Sequence, residues 1–158
     1  MRKFENKPVS QCDIDKMLDA AMLAPTGCNF QPQRIMVINS QVGLEKLKLC
    51  TKCHFDAPAA MLVCYNKNET WTRPYDSAIS ASVDAAIVAT HIMLEAHNIG
   101  VGTCWVMHFD PAALKREFDI KQNCEPLALL VMGYPSKESQ PIEMHYKSKA
   151  VEDIVSYY

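Results

Sequence analysis

The stretch from Asp76 to Asn98 constrains this chain more than any other feature. Ala, Val, Ile, Met and Leu fall on most faces of the helix it predicts, and such a helix must be covered on most sides. Its many Ala and Ser residues permit another helix to approach closely. Asp84, His91 and Glu95 interrupt the apolar run, so a membrane span is not expected. Gly100 is placed to end the helix. The rest of the chain must therefore supply the cover.

That cover is legible as alternating elements. Ser10 and Asp13 resemble a capping box, with Asp13 reaching back, ahead of Ile14, Met17, Leu18 and Ala21 at helical spacing. Pro25 and Gly27 stop this first helix. Arg34 to Ile38 reads as a buried strand, and Ser40 can cap a short helix through Leu44, Leu47 and Lys48. Pro58 to Tyr65 reads as a second strand, and Asn66 to Tyr75 as a polar loop. Val101 to Met107 is a third strand candidate. Asp110 and Pro111 open a helix through Phe118. Pro126 to Met132 is a fourth strand, followed by a tail from Met144 to Tyr158 that is polar and then apolar at Val151, Ile154 and Val155. With no repeat or linker, 1–158 is expected to be one domain, with helices covering a central sheet. The pattern leaves strand direction open.

Composition excludes several function classes. A formal net charge of -2 does not suggest a duplex-binding surface, so no nucleic-acid partner is expected. The opening MRKFENKPVS has no apolar run behind its basic residues, as a secretory leader would need, so a cytoplasmic protein is expected. The five glycines form neither a dinucleotide fingerprint nor a phosphate loop. No Gly-x-Ser-x-Gly elbow or zinc-protease motif occurs, and no metal site is expected.

The seven cysteines are an odd, scattered set, read as free thiols. Cys64 and Cys124 are expected to pack as small hydrophobes. Cys50 and Cys53 have the spacing of a thiol–disulfide pair, but the pair ends a helix instead of opening one, which favours incidental thiols. The histidines stand singly, and His108 is the one nearest the third strand. No acid, base or nucleophile set is visible, which suits an enzyme whose bound cofactor performs the chemistry.

Four segments together resemble the nitroreductase-like flavoprotein family. They are Arg2-Lys3-Phe4 with Lys7-Pro8-Val9; Leu23-Ala-Pro-Thr-Gly-Cys-Asn-Phe-Gln-Pro32; Asp84-Ala-Ala-Ile87 through Gly100-Val-Gly-Thr-Cys-Trp105; and Met132-Gly-Tyr-Pro135 with Lys149-Ala-Val-Glu-Asp-Ile-Val155. They keep the family's order over nearly the whole chain. The resemblance implies an α+β fold with a mixed or antiparallel sheet flanked by helices. It further implies an intertwined homodimer with FMN between the subunits, NAD(P)H as electron donor, and a small-molecule acceptor such as a nitroaromatic or quinone. No side chain is then catalytic; the chemistry is on FMN.

The implied cofactor-binding residues are Arg2, Pro25, Thr26, Gly27, Cys28, Asn29, Gln31, Thr103, Cys104, Trp105, Val106, Lys147 and Lys149. Arg2 can make a forked contact to phosphate, and Lys147 and Lys149 can add charge. Read without the resemblance, these three are solvated surface. Thr26, Asn29 and Gln31 offer short polar groups on a loop, where helix-stop chemistry is the competing account. Backbone N–H groups of Thr103 to Val106 can face the flavin ring; Trp105 reads equally well as core. The family usually carries Arg-x-Ser just before the position of Arg2. This sequence starts at Met1 without it; either the lysines compensate, the true start lies upstream, or FMN is held more weakly by ~2–4 kcal/mol. Met107 narrows the expected substrate pocket, and Gln33 stands where an aromatic is common. Two further readings stay open: a flavin-binding protein of the same fold with little turnover, and a thiol redox protein using Cys50 and Cys53.

Overall fold

A computed structural model describes residues 1–158. In chain order it contains α1 (Gln11–Met22), β1 (Gln33–Ile38), α2 (Gln41–Cys50), β2 (Ala59–Asn66), α3 (Ala81–Asn98), β3 (Gly102–Val106), α4 (Pro111–Glu117) and β4 (Cys124–Gly133). The strands form one sheet in the order β1-β2-β4-β3, and every neighbouring pair is antiparallel. The fold is α+β.

Each face of the sheet carries its own core. On one side α1 and α3 place Ile14, Met17, Val88 and Ile92 against Met61, Val63, Leu130 and Met132. On the other, α2 and α4 place Leu47 and Leu114 against Leu62, Leu129 and Val131. The central strands β2 and β4 are covered on both faces, which explains their unbroken apolar runs. Cys64 and Cys124 are buried among them as expected, and burial pushes the Cys64 thiol up to about 12.

Three local readings change. β4 begins at Cys124, so Pro126 lies inside a strand. It sits opposite Cys64, where the register slips after Val63, and such an irregularity tolerates a residue without an N–H. α3 begins at Ala81 and not at Asp76. Residues 72–79 instead form a turn, with Thr72 bridged to Ile79 and the Arg73 guanidinium donating to Asp76 at 2.8 Å and 2.5 Å. At α1, Ser10 caps as expected by accepting from the Asp13 N–H at 3.1 Å. Asp13, however, does not reach the Ser10 backbone. The Ser10 N–H donates to the Tyr134 hydroxyl, which donates to Asp13 Oδ2 at 2.6 Å. The box is thus closed through a side chain from the end of β4.

α3 is less enclosed than its composition predicts. Ala85, Val88, Ala89, Ile92 and Ala96 are buried, while Val83 and Leu94 on the outer side are 59% and 65% exposed. Nothing within one copy covers that side. No helix is long and apolar enough to cross a membrane.

Candidate functional site

The loop at 26–31 is a closed knot of backbone. Cys28, Asn29 and Gln31 have φ of 46°, 58° and 51°, a region costly for residues with a Cβ. The Thr26 carbonyl accepts from the Asn29 N–H at 3.0 Å, and the Gly27 carbonyl from the Phe30 N–H at 3.0 Å. Thr26 Oγ1 accepts from the Gln31 N–H at 3.1 Å, and Gln31 Nε2 donates to Asn29 Oδ1 at 3.1 Å. The Gly27 N–H donates to Asp84 Oδ1 in the first turn of α3, at 2.9 Å. Pro25, Cys28, Asn29 and Gln31 remain exposed.

A second cluster surrounds β3, which is an edge strand. The Met1 amino group donates to the Thr103 carbonyl at 2.9 Å, so the backbone of Thr103 faces away from β4. By the alternation of antiparallel pairing, the Trp105 N–H and C=O face the same open edge. The two side-chain faces go to the two cores: Trp105 packs partly buried on the α1–α3 side, and Cys104 and Val106 on the α2–α4 side. The Trp105 side chain is half-buried against that core, and what β3 offers at its outer edge is backbone.

Arg2 is carried to this edge by its neighbours. Phe4 bridges Pro135, and the Glu5 N–H donates to the Tyr134 carbonyl at 2.8 Å. The Arg2 guanidinium lies 5.7 Å from the centre of the Phe55 ring. A cleft of about 330 Å³ beside β3 is lined by Met1, Arg2, Cys104, Pro141, Met144 and His145. A second, of about 680 Å³, includes Thr103, Met93, Leu94 and His97. Lys147 and Lys149 are not among these lining residues. Both are exposed, and Lys147 pairs instead with Glu143 at 2.6 Å, one turn away on the same arm.

One copy does not bring the two clusters together. The loop leads into β1 and the second cluster is built on β3, at opposite edges of the sheet. Three strand spacings separate those edges, ~14 Å. The loop is also tied to the start of α3, whereas β3 follows its end, so the rise of the helix adds a separation of roughly 20 Å.

The comparisons with known proteins fit this architecture. The model of the "Nitroreductase family" matches residues 1–62 and 43–134. The chain belongs to the nitroreductase family. A nitroreductase family protein of Clostridium difficile 630 is 40% identical, with a TM-score of 0.91 over 99% of this chain and 91% of that one. A protein of Methanothermobacter thermautotrophicus named as an NADH dehydrogenase/NAD(P)H nitroreductase is 27% identical over 152 residues, 87% of this chain and 73% of its own length. A nitroreductase from Desulfovibrio desulfuricans, solved in complex with FMN, is alike in fold, with a TM-score of 0.82 at 19% identity over 100% of this chain and 90% of that one.

The thiols of this chain do not resemble a redox pair. Cys50 lies in the last turn of α2, is buried, and its S–H donates to the Lys46 carbonyl at 3.3 Å. Burial raises its thiol, away from the reactive thiolate, and neither Cys50 nor Cys53 opens a helix.

Sequence reasoning missed three groups. Asp84 counted only as a charge too polar for a membrane and as part of a motif, yet it is 3% exposed and bonded to the 26–31 loop. A carboxylate at helical spacing from Ala81 and Val88, on the apolar side of that helix, was the signal for it. His145 sits in an arm without periodicity and had none. The Met1 amine bonds a residue 102 positions away, which spacing does not reveal.

Proposed function

We propose that this protein is an FMN-dependent NAD(P)H oxidoreductase that works as a homodimer, with each flavin enclosed between one copy's 26–31 loop and the other copy's β3 edge. The observation that carries the reading is the open edge of β3 beside Arg2. The outward amides of Thr103 and Trp105 suit the flat, acceptor-rich rim of a flavin ring, and Arg2 suits its phosphate. The loop adds Thr26, Asn29 and Gln31 for the ribityl hydroxyls, and Cys28 and Pro25 against the ring. Lys147 and Lys149 on the arm add positive charge near the phosphate.

Two copies are needed because the half-sites stand too far apart in one. The surface for such a pair is present: Val83 and Leu94 on α3, and Ile142, Met144, Tyr146, Val151 and Ile154 on the arm, are apolar and exposed. This many exposed apolar side chains on a small chain supports their cover by a second copy.

When bound, FMN supplies hydride acceptance from NAD(P)H and electron release to an acceptor, of which nitroaromatics and quinones are the expected classes. The chain's part is to bind, orient and polarise. Fixed amides at the β3 edge favour the electron-rich reduced ring, because their dipoles are set before charge arrives.

The test is the visible spectrum of the purified protein before and after NADH or NADPH is added without oxygen. A yellow protein bleached by at least one donor, sedimenting as a dimer, is the expected result. A colourless protein that gains no flavin absorbance when soaked in FMN would overturn the reading. A yellow protein that neither donor bleaches would leave binding and remove the reductase activity.

A further inference from the structure

We infer that Asp84 is the positioning residue of the 26–31 loop, fixing the polar side chains of that half-site against α3; the inference rests on the reading that this loop holds the flavin. Asp84 is 3% exposed, in the first turn of α3. A buried carboxylate is costly unless donors meet it. Here both oxygens are met: Oδ1 accepts from the Gly27 N–H at 2.9 Å, and Oδ2 accepts from Ser80 Oγ at 2.7 Å. The position at a helix start is also favourable for negative charge.

The loop needs such an anchor. Its other hydrogen bonds run among residues 26–31 themselves, apart from the exposed Arg34 guanidinium donating to the Gln31 carbonyl at 3.4 Å, so they give it shape without fixing it to α3. Its positive-φ residues Cys28, Asn29 and Gln31 hold a conformation that the free chain would leave. Gly27 shows how close the docking is: a Cβ there would lie 2.9 Å from Ser80 Oγ and 3.1 Å from the Trp71 Cβ. The missing side chain lets the backbone N–H reach the carboxylate. Asp84 thus joins the loop to the same rigid helix that leads into β3. Through α3 it sets the spacing between the two half-sites of one copy, and hence the gap each flavin meets in the pair.

Asp84→Ala removes the acceptor, and Asp84→Asn keeps an oxygen for the Gly27 N–H. FMN affinity, read by quenching of flavin fluorescence, should fall at least ~30-fold in Asp84→Ala and stay within about 5-fold of the parent in Asp84→Asn. Equal affinity in Asp84→Ala and the parent, or an equal loss in both variants, overturns the assignment. A second measurement needs neither a variant nor a flavin. In the parent protein without added FMN, the Gly27 amide should exchange its hydrogen at least ~100-fold more slowly than a free peptide. Free-peptide exchange there overturns the assignment even if Asp84→Ala fails to fold. A parent protein that takes up no FMN but protects the Gly27 amide leaves the anchor standing and removes the flavin reading alone.

Discussion

The two ends of α3 solve the same problem in opposite ways. At its start, the 26–31 loop closes its backbone on itself and on Asp84, so side chains are left to face outward. At its end, β3 buries or half-buries its side chains in the two cores and leaves an open backbone edge. A flavin has both kinds of need: hydroxyls that suit short polar side chains, and a planar rim that suits amides fixed in a strand. One half-site is therefore tolerant of backbone chemistry and sensitive to side chains, and the other is the reverse.

Substitutions at glycine sharpen this contrast most. Gly27→Ala should be the most damaging, because its Cβ meets Ser80 and Trp71 at 2.9–3.2 Å and forces the loop off α3. A loss of about 2 kcal/mol in urea unfolding is expected, with weaker FMN binding. Parental stability would break the account of close docking. Gly100→Ala tests the other end of the helix. Gly100 has φ 79° in open space, so the cost of ~1 kcal/mol is conformational alone.

Tyr134→Phe should come next, at roughly 1 kcal/mol, because it leaves the Ser10 N–H and Asp13 without their shared partner. It also carries a pH signature. The hydroxyls of Tyr134 and Ser10 and the charge of Lys16 hold the Asp13 carboxyl below its usual value. A depressed carboxyl stabilises the fold above the unfolded-state pKa, and that stability is lost as pH falls through the folded value. Acid unfolding below about pH 4 should therefore be less steep in Tyr134→Phe than in the parent. Identical acid limbs would sever the link between β4 and α1. Gly102→Ala should have the smallest effect on stability, under ~0.5 kcal/mol, since the Cβ meets only the flexible side chain of Met1. Its use lies in the contrast with Gly27: two glycines beside the two half-sites, one wedged against packed neighbours and the other facing a side chain that can move.

Much of this was legible before any coordinates. The caps at Ser10, Ser40 and Asp110, the apolar runs of β2 and β4, and the polar turn after α1 follow from local rules: a hydroxyl or carboxylate satisfies free helix amides, and strands covered on both faces need apolar residues throughout. The Thr26–Gln31 segment was legible as a polar loop for the same reason. The start of α3 was misplaced because the pairing of Arg73 with Asp76 and the bridge from Thr72 to Ile79 compete with helix, and neither leaves a periodic trace. The outer face of α3 was expected to be buried because composition reports that cover is needed, not whether the same copy provides it.

By itself, then, the sequence determined the elements, their caps, their order and the family, because each depends on neighbours within a few residues or on a motif order that survives in the chain. The tertiary structure decided the antiparallel order β1-β2-β4-β3, the closure of the first capping box through Tyr134, the anchoring of Gly27 by Asp84, and the separation of the half-sites to opposite edges of the sheet. The Gly27–Asp84 and Asp13–Tyr134 contacts join residues 57 and 121 positions apart. Hydrophobic patterning states which residues must be buried, but it does not specify which distant donor meets which acceptor; that choice is made only when the helices settle on the sheet.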